Sequence, residues 1–74
     1  MRFFERTDCH LCHEAWLVVE SLGAADGVER VDVDQDPMLT AEYGLRIPVL
    51  VDARGKVLAE GVFDAGELRR RLTG

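Results

Sequence analysis

Cysteine, long apolar runs and positive charge are all scarce in this chain, and each scarcity excludes something. Two cysteines in 74 residues do not make the multi-bridge framework of a small secreted scaffold. A lone Cys-x-x-Cys loop is also too short to constrain the unfolded chain much. No stretch is long and apolar enough to span a bilayer. The opening Met1-Arg2-Phe3-Phe4-Glu5-Arg6-Thr7-Asp8 lacks the apolar run of a secretory signal, so a cytoplasmic location is the expectation. Nine Lys and Arg stand against 14 Asp and Glu, a formal net charge of −5. Nucleic acid and anionic membrane surfaces would therefore be repelled. No internal repeat, linker or low-complexity segment breaks the sequence. What remains is one small domain, 47% hydrophobic and 31% charged, an ordinary balance for a folding chain with a modest core.

Both cysteines fall within Cys9-His10-Leu11-Cys12-His13, where a short strand over residues 2–6, centred on Phe3 and Phe4, gives way to a helix. Thr7 and Asp8 are both able to cap that helix, which should run over about residues 11–22 before the breakers Gly23 to Gly27. Leu11, Cys12, Ala15, Trp16, Val18, Val19 and Leu22 form a broad apolar stripe at helical spacing. This puts Cys12 on the buried side and Cys9 at the exposed tip. Val28, Val31 and Val33 mark a β-branched strand over residues 28–34. Asp36 and Pro37 open a short second helix as cap and first residue, and Gly44 closes it. Met38, Leu39 and Tyr43 are expected to face inward. Residues 47–51 read as a third strand, Asp52-Ala53-Arg54-Gly55 as a turn, and residues 56–60 as its antiparallel return. Asp64 begins a last helix with Glu67 as capping-box partner, continuing through Leu68 and Leu72. The order is β-α-β-α-β-β-α.

A Cys-x-x-Cys at a strand-to-helix junction signals a thiol–disulfide redox centre. The helix amino terminus stabilises a thiolate at its first cysteine, and the second falls one turn later, within disulfide reach. A protonated His10 or His13 would push the Cys9 thiol further below its usual value of about 8.5, while Asp8 would push it up unless its carboxylate turns to cap the helix. Other readings of the same residues are weaker. Cys-x-x-Cys-His also attaches haem, which would need export, a sixth ligand such as Met38 and a mainly helical chain. Zinc on Cys9, Cys12, His10 and His13 lacks a second knuckle. Asp32, Asp34 and Asp36 have the spacing that opens a calcium loop, but Pro37 and Tyr43 replace its required glycine and glutamate. Arg69-Arg70-Arg71 suits the last turns of a helix. Two small core cysteines that merely fall three apart stay open as the plain alternative.

Four segments carry a family resemblance: Thr7-Asp8-Cys9-His10-Leu11-Cys12, Val31-Asp32-Val33-Asp34, Tyr43-Gly44-Leu45-Arg46-Ile47-Pro48-Val49-Leu50 and Gly61-Val62-Phe63-Asp64. In this order and spacing the chain resembles a thioredoxin fold of minimum size, and more narrowly the glutaredoxin-like family of short bacterial proteins. The resemblance implies an α/β domain over residues 1–74, with a four-stranded mixed sheet and three helices. It implies a thiol–disulfide oxidoreductase in which Cys9 is the nucleophile and Cys12 the resolving thiol. It also implies a cis bond before Pro48 beside the disulfide, although only about 5–6% of X–Pro bonds are cis in general. Ile47 would offer its backbone to the substrate as to an added strand. By the same resemblance Arg6 would meet the glycine carboxylate of glutathione and Asp64 its γ-glutamyl end, with His10 and Leu11 also touching substrate.

Glutathione is then a co-substrate rather than a bound cofactor, no metal is expected, and the partner is a disulfide-containing protein or a glutathione mixed disulfide. A monomer is expected. The chain departs from ordinary glutaredoxins in three places. Cys-His-Leu-Cys replaces Cys-Pro-Tyr-Cys, Gly61-Val62 replaces a Gly-Gly pair, and Ala65 stands where a second aspartate is common. Two further classes stay open: a non-catalytic module that holds a partner between Cys9 and Pro48, and an iron–sulfur or metal carrier using Cys9.

Overall fold

Two adjacent phenylalanines set the layering of the molecule, because successive side chains of a strand point to opposite faces of its sheet. In the computed structural model, which describes residues 1–73, Phe3 and Phe4 lie on the first strand, β1 (Arg2–Glu5). Phe3 joins Ala15, Val19, Leu50, Leu58, Phe63 and Leu68 on one face. Phe4 joins Val33, Val49 and Val51 on the other. Both faces therefore need cover. Helices α1 (His10–Ser21) and α3 (Ala65–Thr73) supply it on the Phe3 side. Helix α2 (Pro37–Tyr43) supplies it on the Phe4 side through Leu39 and Tyr43, whose ring stacks on Phe4 at 4.2 Å.

The remaining strands are β2 (Glu29–Asp32), β3 (Val49–Val51) and β4 (Val57–Glu60), and the sheet order is β2-β1-β3-β4. β1 pairs parallel with β2 and antiparallel with β3, which pairs antiparallel with β4. This is the expected element order and the expected mixed sheet. No helix is long and apolar enough to cross a membrane among the described residues.

Several boundaries differ from expectation for identifiable reasons. β2 stops at Asp32, because the Asp32 carboxylate accepts the Asp34 N–H at 2.9 Å and folds Val33–Gln35 into a single 3-10 turn. Regular pairing of β3 begins at Val49 rather than residue 47, since Pro48 has no N–H to contribute. The Ile47 N–H instead donates to the Tyr43 carbonyl at 3.0 Å. Met38 does not face inward; it is 81% exposed. On so short a helix the buried face is fixed by the pair Leu39 and Tyr43, four apart, and Met38 lies off it.

Gly44 ends α2 as expected but with φ −55°. Its requirement is space, because a Cβ there would strike the Thr40 carbonyl and approach the Arg6 guanidinium. Of the α1 stripe, Cys12, Ala15 and Val19 are buried, Trp16, Val18 and Leu22 are partly buried, and Leu11 is exposed. Trp16 is half-buried between the Phe3 ring, at 5.2 Å, and the Arg30 guanidinium, at 4.3 Å. At α3, Asp64 accepts the Glu67 N–H at 2.9 Å. The Glu67 carboxylate turns to Arg71 at 2.8 Å, so the capping box is made in one direction only.

The buried aromatic cluster predicts a steep contrast in stability. Phe3→Ala removes a ring that contacts Trp16 and Phe63 and should cost about 3–5 kcal/mol, whereas Met38→Ala should stay within about 0.5 kcal/mol of wild type. Urea denaturation of both variants checks this.

Two surface carboxyls add a pH dependence. The backbone N–H groups of Lys56 and Arg54 hold the Asp52 carboxyl below its usual value, and the Arg46 guanidinium does the same to Glu60. A lowered folded-state pKa contributes stability that is complete above the unfolded value and is lost as pH falls through the folded one. Asp52→Asn with Glu60→Gln should therefore flatten the fall in stability between about pH 5 and pH 2, measured by thermal unfolding across that range.

Candidate active site

Beyond β1 the chain runs through Arg6, Thr7 and Asp8, and Asp8 adopts φ +60°. Aspartate tolerates this left-handed conformation better than most residues, since its short polar side chain can bond locally. The reversal delivers Cys9 in an extended conformation at the amino end of α1. Cys9, not Thr7 or Asp8, is the cap. Its sulfur accepts the Cys12 N–H at 3.1 Å, and its carbonyl accepts the His13 N–H at 3.1 Å. A sulfur here sits against the positive end of a 12-residue helix.

Cys9 and Cys12 are disulfide-bonded, with Cα atoms 5.2 Å apart. Their environments differ as the sequence pattern suggests: Cys9 is half-buried, and Cys12 is 1% exposed on the core side of α1. His10 and His13 are exposed, and His10 leans along the helix to Glu14 at 3.2 Å.

Sheet topology gathers the other elements. β3 runs antiparallel to β1 with Val49 opposite Phe4, so Pro48 comes one step further, at the level of Glu5. The Ile47–Pro48 bond is cis, Pro48 is buried, and its carbonyl accepts the Gly61 N–H at 2.9 Å. Because β4 runs back against β3, the Gly61-Val62-Phe63 loop emerges at this same end. The amino terminus of α1, the segment before Pro48 and the loop after β4 therefore form one rim.

Two depressions lie along α1, and only the first is bordered by a cysteine. A shallow cleft of about 450 Å³ is bordered by Glu5, Arg6, Thr7, Asp8, Cys9, His10, His13 and Arg30. A smaller groove of about 170 Å³ is bordered by Leu11, Glu14, Ala15, Val18, Val62 and Phe63. Arg6, His10 and His13 thus share the cleft with Cys9, while Leu11 borders the smaller groove. Asp64 lies elsewhere, in a third depression between β4 and α3.

Ion pairs that the sequence reading missed fix the cleft walls. Arg6 grips Asp34 through two bonds of 2.8 and 3.1 Å and reaches the Gly44 carbonyl at 3.4 Å. The Asp34 carboxylate raises the pKa of the Arg6 guanidinium through this hydrogen-bonded pairing. Arg30 likewise grips Glu5 through two bonds of 2.8 Å, and Arg46 grips Glu60 at 3.2 and 3.1 Å. An added strand at Ile47 would have to displace its bond to Tyr43 or use the carbonyl alone. Among the described residues, no group of three or more His, Cys, Asp or Glu is placed to hold a metal ion.

Comparison with known proteins extends this geometry. An X-ray structure of Northeast Structural Genomics target protein XcR50 from X. campestris has a TM-score of 0.87 at 38% identity, covering 97% of this chain and 93% of that one. A solution structure of the same target gives 0.81 at 38% identity, covering 97% and 90%. No curated protein matches the chain. The fold is α/β and thioredoxin-like, and the family model described as glutaredoxin-like domain (DUF836) matches residues 1–73. A match of that extent, on a fold that sets the Cys-x-x-Cys pair at its first helix cap, shows that the chain belongs to the glutaredoxin-like family.

Proposed function

We propose that this protein is a thiol–disulfide oxidoreductase of the reducing cytoplasm, working as a monomer through the Cys9–Cys12 dithiol. The observation that supports this most is the placement of the two sulfurs. One caps α1 and takes a backbone N–H at 3.1 Å, and the other is sealed in the core one turn on. In the reduced state that N–H and the helix terminus favour a thiolate at Cys9, the nucleophilic form of cysteine.

The exchange then balances simply. The Cys9 thiolate attacks one sulfur of a substrate disulfide, whose S–S bond breaks, and the departing thiolate takes a proton. The Cys12 thiolate next attacks the Cys9 sulfur of the mixed disulfide, closing Cys9–Cys12 and releasing the second substrate thiol. Two electrons pass to the substrate, and two equivalents of a thiol reductant such as glutathione return the pair to the dithiol. The substrate is a protein disulfide or a glutathione mixed disulfide, and neither step asks for a bound cofactor.

Substitution separates the two thiols. Cys9→Ser should abolish reduction of a mixed disulfide, a loss of at least about 100-fold. Cys12→Ser should accumulate a mixed disulfide on Cys9 when no reductant is present, seen by mass spectrometry, and should spare a one-thiol route when glutathione is added. An unreactive wild type, or full activity in Cys9→Ser, would contradict the proposal and favour a non-catalytic binding module.

A further inference from the structure

The chain holds two histidines, and both stand in the first turn of α1 beside the redox pair. Both border the cleft that Cys9 borders. Imidazole is the side chain whose charge ordinarily changes between about pH 5 and pH 8, so these rings are the groups at the site suited to hand over a proton near neutrality. The redox reading above, on which this inference rests, needs such a group, because its first step expels a thiolate. The core offers none: among the described residues no polar or charged side chain is buried.

The two rings are not equivalent. His10 leans along the helix to Glu14 at 3.2 Å, a carboxylate one turn further from the helix tip. His13 follows Cys9 by four residues, and its backbone N–H is bonded to the Cys9 carbonyl at 3.1 Å. Helical side chains tilt toward the amino terminus and cover the turn before their own. The His13 ring is therefore directed over the turn that begins at Cys9. The charged groups facing it across the cleft are Glu5 on β1, Arg6 and Asp8 on the segment that follows, Arg30 on β2, and His10 on α1 with its partner Glu14. Glu5 pairs with Arg30, and Arg6 with Asp34. Asp8, which precedes Cys9, favours the charged form of an imidazole in this cleft.

We propose that His13 is the acid–base residue of the Cys9 site. As imidazolium it favours the Cys9 thiolate, and it then gives its ring proton to the first departing sulfur. In that step the Cys9 sulfur bonds to one substrate sulfur and the substrate S–S bond breaks. The N–H proton of His13 becomes the S–H proton of the released thiol. Closure of the Cys9–Cys12 bond expels the second substrate sulfur, and the proton lost from the Cys12 thiol balances the one it takes up. Two electrons and two protons reach the substrate, and the neutral His13 is recharged from solvent.

Two reactions of the full, reduced chain test this, each followed from pH 5 to pH 9. One is alkylation of Cys9 by iodoacetamide, whose leaving iodide needs no proton. The other is oxidation by neutral bis(2-hydroxyethyl) disulfide, whose leaving thiolate does. His13 is exposed, so its replacement leaves the core untouched. At pH 6, His13→Gln should slow the disulfide reaction about tenfold and alkylation about threefold. Both losses should fall below about twofold by pH 9, where an ordinary imidazole carries no charge in the wild type either. His10→Gln should have the smaller effect on both. Losses in His13→Gln that are equal in the two reactions or constant across pH, or a larger loss in His10→Gln, would overturn the inference and leave the redox reading intact. A wild type unreactive toward the neutral disulfide at every pH would remove the redox reading, and this inference with it.

Discussion

The site depends on one contact, the Cys12 N–H held on the Cys9 sulfur at 3.1 Å. A helix begins with N–H groups that lack partners within the helix, and most helices satisfy one with an oxygen of Ser, Thr, Asp or Asn. Here a sulfur does the work of that oxygen. Structure and chemistry therefore share an atom: the group that starts α1 is also the group that would attack a disulfide. The left-handed turn at Asp8 makes this possible by bringing the chain into the helix one residue later than the oxygen-bearing side chains would.

Holding a sulfur at a helix tip requires a fixed approach, and the neighbouring ion pairs supply it. Arg6 ties the segment after β1 to Asp34 and Gly44, joining it to the turn after β2 and to the end of α2. Gly44 must be small because a Cβ there would strike the Thr40 carbonyl, and its absence also leaves room for the Arg6 guanidinium. Arg30 and Glu5 link β2 to β1 at the other wall of the cleft. Such exposed pairs contribute little each to global stability. Their role is positional. Below them the sheet is anchored on both faces by Phe3 and Phe4, so the end that carries the site rests on a close-packed base.

Much of this was legible in the chain because periodicity and punctuation agree. The apolar spacing of α1, the Asp36-Pro37 start and Gly44 stop of α2, and the Asp52–Gly55 turn each have a local physical cause, and each is where expected. The depth of Cys12 followed from its place on the helical stripe. What escaped has equally definite causes. Nothing local marks Cys9 as the cap, because sulfur accepts hydrogen bonds weakly and two better acceptors precede it. The early end of β2 rests on a single side-chain bond from Asp32, which a valine-rich pattern conceals. The Arg6–Asp34 pair joins residues 28 apart, and no local rule connects them. Asp32, Asp34 and Asp36 share the spacing of a calcium loop, but each has its own partner: Asp32 takes the Asp34 N–H, Asp34 the Arg6 guanidinium and Asp36 the Met38 N–H.

The central claim is that the cap position makes Cys9 a thiolate near neutral pH, and the pH dependence of alkylation of the fully reduced protein tests it most directly. The account predicts that Cys9 is modified first, with a midpoint at least one unit below the usual cysteine value of about 8.5. A Cys9 midpoint at or above that value would contradict it.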